Sequence, residues 1–93
     1  MKIASENSEL ASGGENVIIT RIKYIFSDVF GINEEQLTPE ADISKDLNMD
    51  SLEHAEMVAE FEREFKLRIP DEDVQNIVTV GDAVAYLQRR QGS

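Results

Sequence analysis

DSLEHAEMVAEFEREF, residues 50–65, is the stretch on which the fold turns. Read as a helix that begins at Asp50 or Ser51 and runs to about Phe65, it sets Ala55, Val58, Phe61 and Phe65 along one stripe, flanked by Leu52 and Met57. The steps of three and four between those positions are the helical period. Glu53, Glu56, Glu60, Glu62 and Glu64 cover much of the remaining surface. The residues just before, Asp46-Leu47-Asn48-Met49, lead from loop into helix. Ser51 therefore falls among the unsatisfied N–H groups of a first turn, where an anion is favoured. Taken alone, a serine or aspartate in this position reads as an N-cap, a feature of many helices.

Working outward, Ile18, Ile22, Ile25, Phe26, Val29 and Phe30 predict an earlier helix with one apolar face, with Asn16 as its cap and Gly31 as its stop. The β-branched content would suit a strand, but spacing and length favour a helix. Residues 31–50 read as a long loop. Thr38-Pro39 disfavours helix at Thr38, and Ile32, Leu37, Ile43 and Leu47 are spaced as anchors onto a core. A loop of this length in a small domain is often functional. Downstream, Pro70 followed by Asp71, Glu72 and Asp73 suits the first turn of a short helix. Thr79 with Asp82 resembles a capping box, Asp replacing the usual Glu. The last helix then carries Val80, Ala83, Val84 and Leu87 inward and ends in Arg89 and Arg90. The expectation is an all-α fold: a small four-helix bundle of three longer helices and one short helix, with the long loop between helices one and two. Residues 1–15, with Gly13-Gly14, read as a flexible leader, 16–90 as the domain, and 91–93 as a disordered tail.

Ninety-three residues make one domain. A chain this short buries roughly 60% of its unfolded surface, which leaves little room for a deep cleft with converging catalytic groups. Nineteen acidic residues against nine basic ones give a net charge of −10. That surface repels nucleic acid and anionic membranes and attracts basic protein patches. From composition alone, solubility is a sufficient reason for it. The absence of cysteine excludes disulfides, thiolate metal sites and a cysteine nucleophile. With no signal-peptide core and no apolar run near roughly 20 residues, a soluble, cytoplasmic protein is expected, with no membrane insertion; the charged surface suggests a monomer with no nucleic-acid partner.

Two site chemistries are tested and set aside on residues. Asp46, Asn48 and Asp50 match the start of a calcium loop, but Ser51 stands where Gly is needed and Met57 where a bidentate Glu is needed, so no metal site is expected. His54, the single histidine, is three residues after Ser51. No orienting carboxylate or oxyanion hole accompanies the pair, so no catalytic residue is expected.

Asp50-Ser51-Leu52 resembles the Asp-Ser-Leu motif of acyl carrier proteins. The resemblance continues through Phe30-Gly31-Ile32 with Leu37, Asp46-Leu47, Phe61-Glu62-Arg63-Glu64-Phe65, Ile69-Pro70-Asp71-Glu72 and Thr79-Val80-Gly81-Asp82-Ala83. It covers about residues 17–88, and the ordered series is far more specific than the tripeptide. The family commonly has Gly where Asn48 stands; Asn tolerates the left-handed conformation better than most residues. It often has an acidic residue where Arg63 stands. The resemblance implies a 4′-phosphopantetheine arm, taken from coenzyme A by a phosphopantetheinyl transferase and attached at Ser51, with Asp50 assisting the transferase. It implies acyl groups held as thioesters and delivered to acyl-transferring and chain-elongating enzymes of fatty-acid or related biosynthesis. Leu52, Glu53, Glu56, Glu60 and Glu62 would form the face read by basic patches on those partners. Ala55, Met57, Val58, Ala59 and Ile69, small or flexible, would let helices part and shelter the acyl chain.

Three readings compete at this point: the carrier, including polyketide, peptidyl and D-alanyl variants distinguished by cargo; an unmodified helical adaptor with the same acidic face; and a small enzyme acting through Ser51 and His54. The intact Asp-Ser-Leu speaks against the adaptor, and the lack of a supporting constellation against the enzyme.

Overall fold

The computed structural model describes residues 14–92. Helix α1, Gly14–Tyr24, continues directly into a π-helical stretch, Ile25–Val29. A 3₁₀ turn at Glu34–Gln36 interrupts the following loop. Helix α2 is Ser51–Phe65, the short α3 is Asp71–Val74, and α4 is Val80–Gly92. Three longer helices, one short helix and no strand among the described residues make the expected all-α bundle. Residues 1–13 of the expected leader lie outside the described residues. Because α1 starts at Gly14, Asn16 stands inside the helix and does not cap it. At the other end α4 includes Gln91, whose amide donates to the Phe65 carbonyl at 3.1 Å.

Phe26 and Phe61, both fully buried, meet edge to face with centroids 6.1 Å apart, and Phe61 meets Phe65 at 6.5 Å. Ile22, Ile43, Met57, Ile77 and Leu87 close the core around them. On α2 the buried stripe is Met57, Val58, Phe61 and Phe65. Ala55 and Leu52, expected within or beside it, are exposed, Leu52 at 67%. The reason is angular: at about 3.6 residues per turn, Ala55 lies a third of a turn from Phe61 and Leu52 lies opposite it. Val29 is also corrected, since it is 46% exposed. The π-helical stretch holds more residues per turn, so the register slips and Val29 swings off the face shared by Ile22, Ile25 and Phe26. Gly31, at φ +70°, ends this helix as expected.

Leu37, Ile43 and Leu47 are buried and Ile32 packs on the core, so the long loop is anchored as expected. Backbone pairing holds it further. The Ile43 amide donates to the Val78 carbonyl at 2.9 Å and the Val80 amide to the Ala41 carbonyl at 3.0 Å, while the Gly81 amide donates to Pro39 at 2.9 Å. Gly81 has no room for a side chain: a Cβ there would stand 2.9 Å from the Pro39 carbonyl oxygen. Gly81→Ala is therefore expected to lower stability by about 1 kcal/mol in urea denaturation, because overpacking of about 1–3 kcal/mol exceeds the roughly 1 kcal/mol gained in helix propensity.

The Thr79–Asp82 box forms. The Asp82 amide donates to Thr79 Oγ1 at 3.0 Å, and the Asp82 carboxylate accepts from the amides of Thr79 and Val78 at 3.0 and 3.1 Å. The Thr79 amide above all holds the Asp82 carboxyl below its ordinary range, outweighing partial desolvation. A depressed folded-state pKa gives stability that is complete above the unfolded value of about 3.9 and is lost as pH falls through the folded value. Thermal melts below pH 4 should thus show a steeper loss for the native chain than for Asp82→Asn.

Candidate functional site

The start of α2 is built by a complete capping box. The Asp50 carboxylate accepts from the Glu53 amide at 2.8 Å, and the Glu53 carboxylate accepts from the Asp50 amide at 3.2 Å. Asn48 takes the left-handed conformation at φ +59°, the turn that Gly would otherwise supply. Leu47 and Met49 are buried on either side of it. Anchoring these two residues fixes where the helix begins. The exposed Ser51 is then its first residue.

Four N–H groups at a helix start lack intrahelical partners. Here the box satisfies those of Asp50 and Glu53. The Ser51 and Leu52 amides have no hydrogen-bond acceptor among the described residues. They belong to the same first turn as the Ser51 side chain, at the positive end of a fifteen-residue helix. Ser51 also borders a depression of about 350 Å³ between α2 and the α3–α4 connection, with Ser44, Asp50, His54, Val74 and Ile77 on its walls. Two open donors and a shallow, half-apolar trough thus adjoin Ser51.

His54 does not pair with Ser51 as a base pairs with a nucleophile. Its Nε2 is 3.1 Å from the Ile77 carbonyl, a bond that holds the α3–α4 connection against α2. That contact spans 23 residues of sequence, so no local pattern announces it. Two members of the calcium-like trio serve the backbone: Asp46 accepts from the Asp42 amide at 2.8 Å and Asp50 is a cap. Among the described residues no group of His, Asp or Glu is arranged to hold a metal ion.

The expected partner face divides. Glu53, Glu56 and Glu60 line one groove with Val29, Phe30, Ala59 and Arg63. Glu62 is on the other flank of α2, and its carboxylate accepts from the Ile69 amide at 2.8 Å. It braces the turn after the helix. Glu60 is bound to Arg63 at 3.0 Å, and Glu64 pairs with Arg21 of α1. Leu52 stands out from the helix start. Val29, Phe30, Ala59 and Arg63 line this groove without belonging to the expected face.

The phosphopantetheine attachment site family matches residues 20–87. An acyl carrier protein of Thermotoga maritima is 40% identical over 75 residues, covering 81% of this chain and 93% of that one. A solved acyl carrier protein from Enterococcus faecalis superposes with a TM-score of 0.70 at 39% identity, covering 81% of this chain and 95% of that one. The chain belongs to the acyl carrier protein family. No helix among the described residues is long and apolar enough to cross a membrane.

Proposed function

We propose that Ser51 carries the 4′-phosphopantetheine arm on which this acyl carrier holds its intermediates for fatty-acid biosynthesis. The observation that carries the assignment is the pair of open amides at Ser51 and Leu52 in the helix turn that bears the exposed Ser51. When bound, the arm supplies the thiol that a cysteine-free chain lacks. The chain's own residues do the rest. Ser51 offers the hydroxyl, the two amides and the helix dipole favour a phosphodiester, and the capping box keeps the turn from fraying. Asp50 has a second carboxylate oxygen outside the box, suited to assist magnesium in a phosphopantetheinyl transferase. Glu53, Glu56 and Glu60 attract the basic patches of acyl-transferring and chain-elongating enzymes, with a salt-sensitive on-rate.

The chain itself is a carrier and not a catalyst. The engagement of His54 with Ile77 supports this, since it turns away the nearest candidate base. Met57, Val58 and Ile69, buried along α2 and the turn after it, are the groups that would yield to an acyl chain. Intact mass tests the assignment: with coenzyme A, magnesium and a broad-specificity phosphopantetheinyl transferase, the unmodified chain should gain one phosphopantetheine. A folded chain that gains none overturns it.

A further inference from the structure

The groove beside α2 carries two signs of charge. Glu53, Glu56, Glu60 and Arg63 follow one another at steps of three, four and three, a straight stripe about 15 Å long on one helix face. Toward Ser51 the stripe is acidic. At the far end Arg63, with its side chain 71% exposed, neutralises Glu60 at 3.0 Å. Glu64 beyond is paired with Arg21. Between the ends runs an apolar floor of Val29, Phe30 and Ala59, and the whole groove encloses about 430 Å³. Val29 reaches that floor only through the π-helical stretch, which gives up regular helix geometry to put an apolar side chain in water. Such stretches are frequent at functional sites.

We propose that this groove docks an acyl-handling enzyme through a helix of mixed charge. The partner sets Lys or Arg opposite Glu53 and Glu56, an apolar side chain on the Val29–Phe30–Ala59 floor, and a carboxylate opposite Arg63. A uniformly basic helix meets like charge at Arg63 and must displace it to reach Glu60, so the groove discriminates against it. The proposal rests on the carrier reading for the kind of partner.

Two helical peptides of equal length and identical apolar stripe test it, one with lysines at one end and glutamates at the other, one with lysines throughout. Fluorescence anisotropy on the full chain should show the mixed peptide binding about threefold tighter, the scale of an exposed ion pair. Amide shifts should centre on Val29 and Ala59. Arg63→Glu should invert the preference to about threefold in favour of the all-lysine peptide, and Arg63→Gln, which leaves Glu60 unpaired, should shift it the same way by less. Circular dichroism matching the native chain establishes that the variants fold. Equal or tighter binding of the all-lysine peptide to the native chain, an unchanged ratio in Arg63→Glu, or shifts away from the groove overturns the proposal. Arm attachment to the unaltered chain is scored separately by mass, so either idea can fail alone.

Discussion

Ser51→Ala is expected to gain no mass with coenzyme A, magnesium and transferase, a complete loss and not a slowing. The variant removes one hydroxyl from an exposed position at the first residue of α2. Ser51 makes no side-chain hydrogen bond to the described residues, and the capping box runs through Asp50 and Glu53, so stability should change by less than about 0.5 kcal/mol. An unmodified product then reports a missing nucleophile and not a missing fold. Ser44 makes the test sharper, because it borders the same depression. It sits in the turn held by Asp42, whose carboxylate accepts from the Lys45 amide at 2.9 Å, and has no helix start beneath it. If location alone selected the modified serine, Ser44 would take the arm in the variant. If the open amides and helix dipole select it, Ser44 stays bare. Peptide mapping distinguishes the outcomes, and an arm found on Ser44 would overturn the physical account of the site.

Local chemistry was legible in the sequence, and contacts between distant segments were not. The bounds of α2, the glycine that ends the first helix and the Thr79–Asp82 box each depend on residues within one or two turns. Asn48 was readable for the same reason, as one residue bearing one backbone conformation. Val29 was misplaced because no local motif marks the π-helical stretch that turns it outward. His54 reads only as a residue three positions after Ser51 until Ile77 is folded against it. Glu62 looks like any other glutamate on an acidic helix; its bond to the Ile69 amide removes it from the partner face. The sequence could count the charges on α2. Which of them stay available depended on the turn after the helix and on α1.

Phe61→Ala is expected to cost about 3–5 kcal/mol, the range for deleting a buried aromatic ring. Phe61 is fully buried and is the ring common to both aromatic contacts, with Phe26 at 6.1 Å and Phe65 at 6.5 Å. Its loss therefore opens the junction between α2 and the π-helical stretch. Domains have only about 5–15 kcal/mol in hand, and small ones tend toward the low end. Urea denaturation followed by circular dichroism should show the midpoint fall by at least a third; a shift of less than about 1 kcal/mol would mean that Phe61 does not hold α2 in place. Phe61→Leu, which keeps most of the apolar volume, should lose about 1.5 kcal/mol or less. The consequence reaches Ser51, nearly three turns away on the same helix. Its two open amides keep their positions only while α2 is helical and docked. Arm attachment to Phe61→Ala should accordingly fall with the folded fraction and recover when an excluded osmolyte restores the fold.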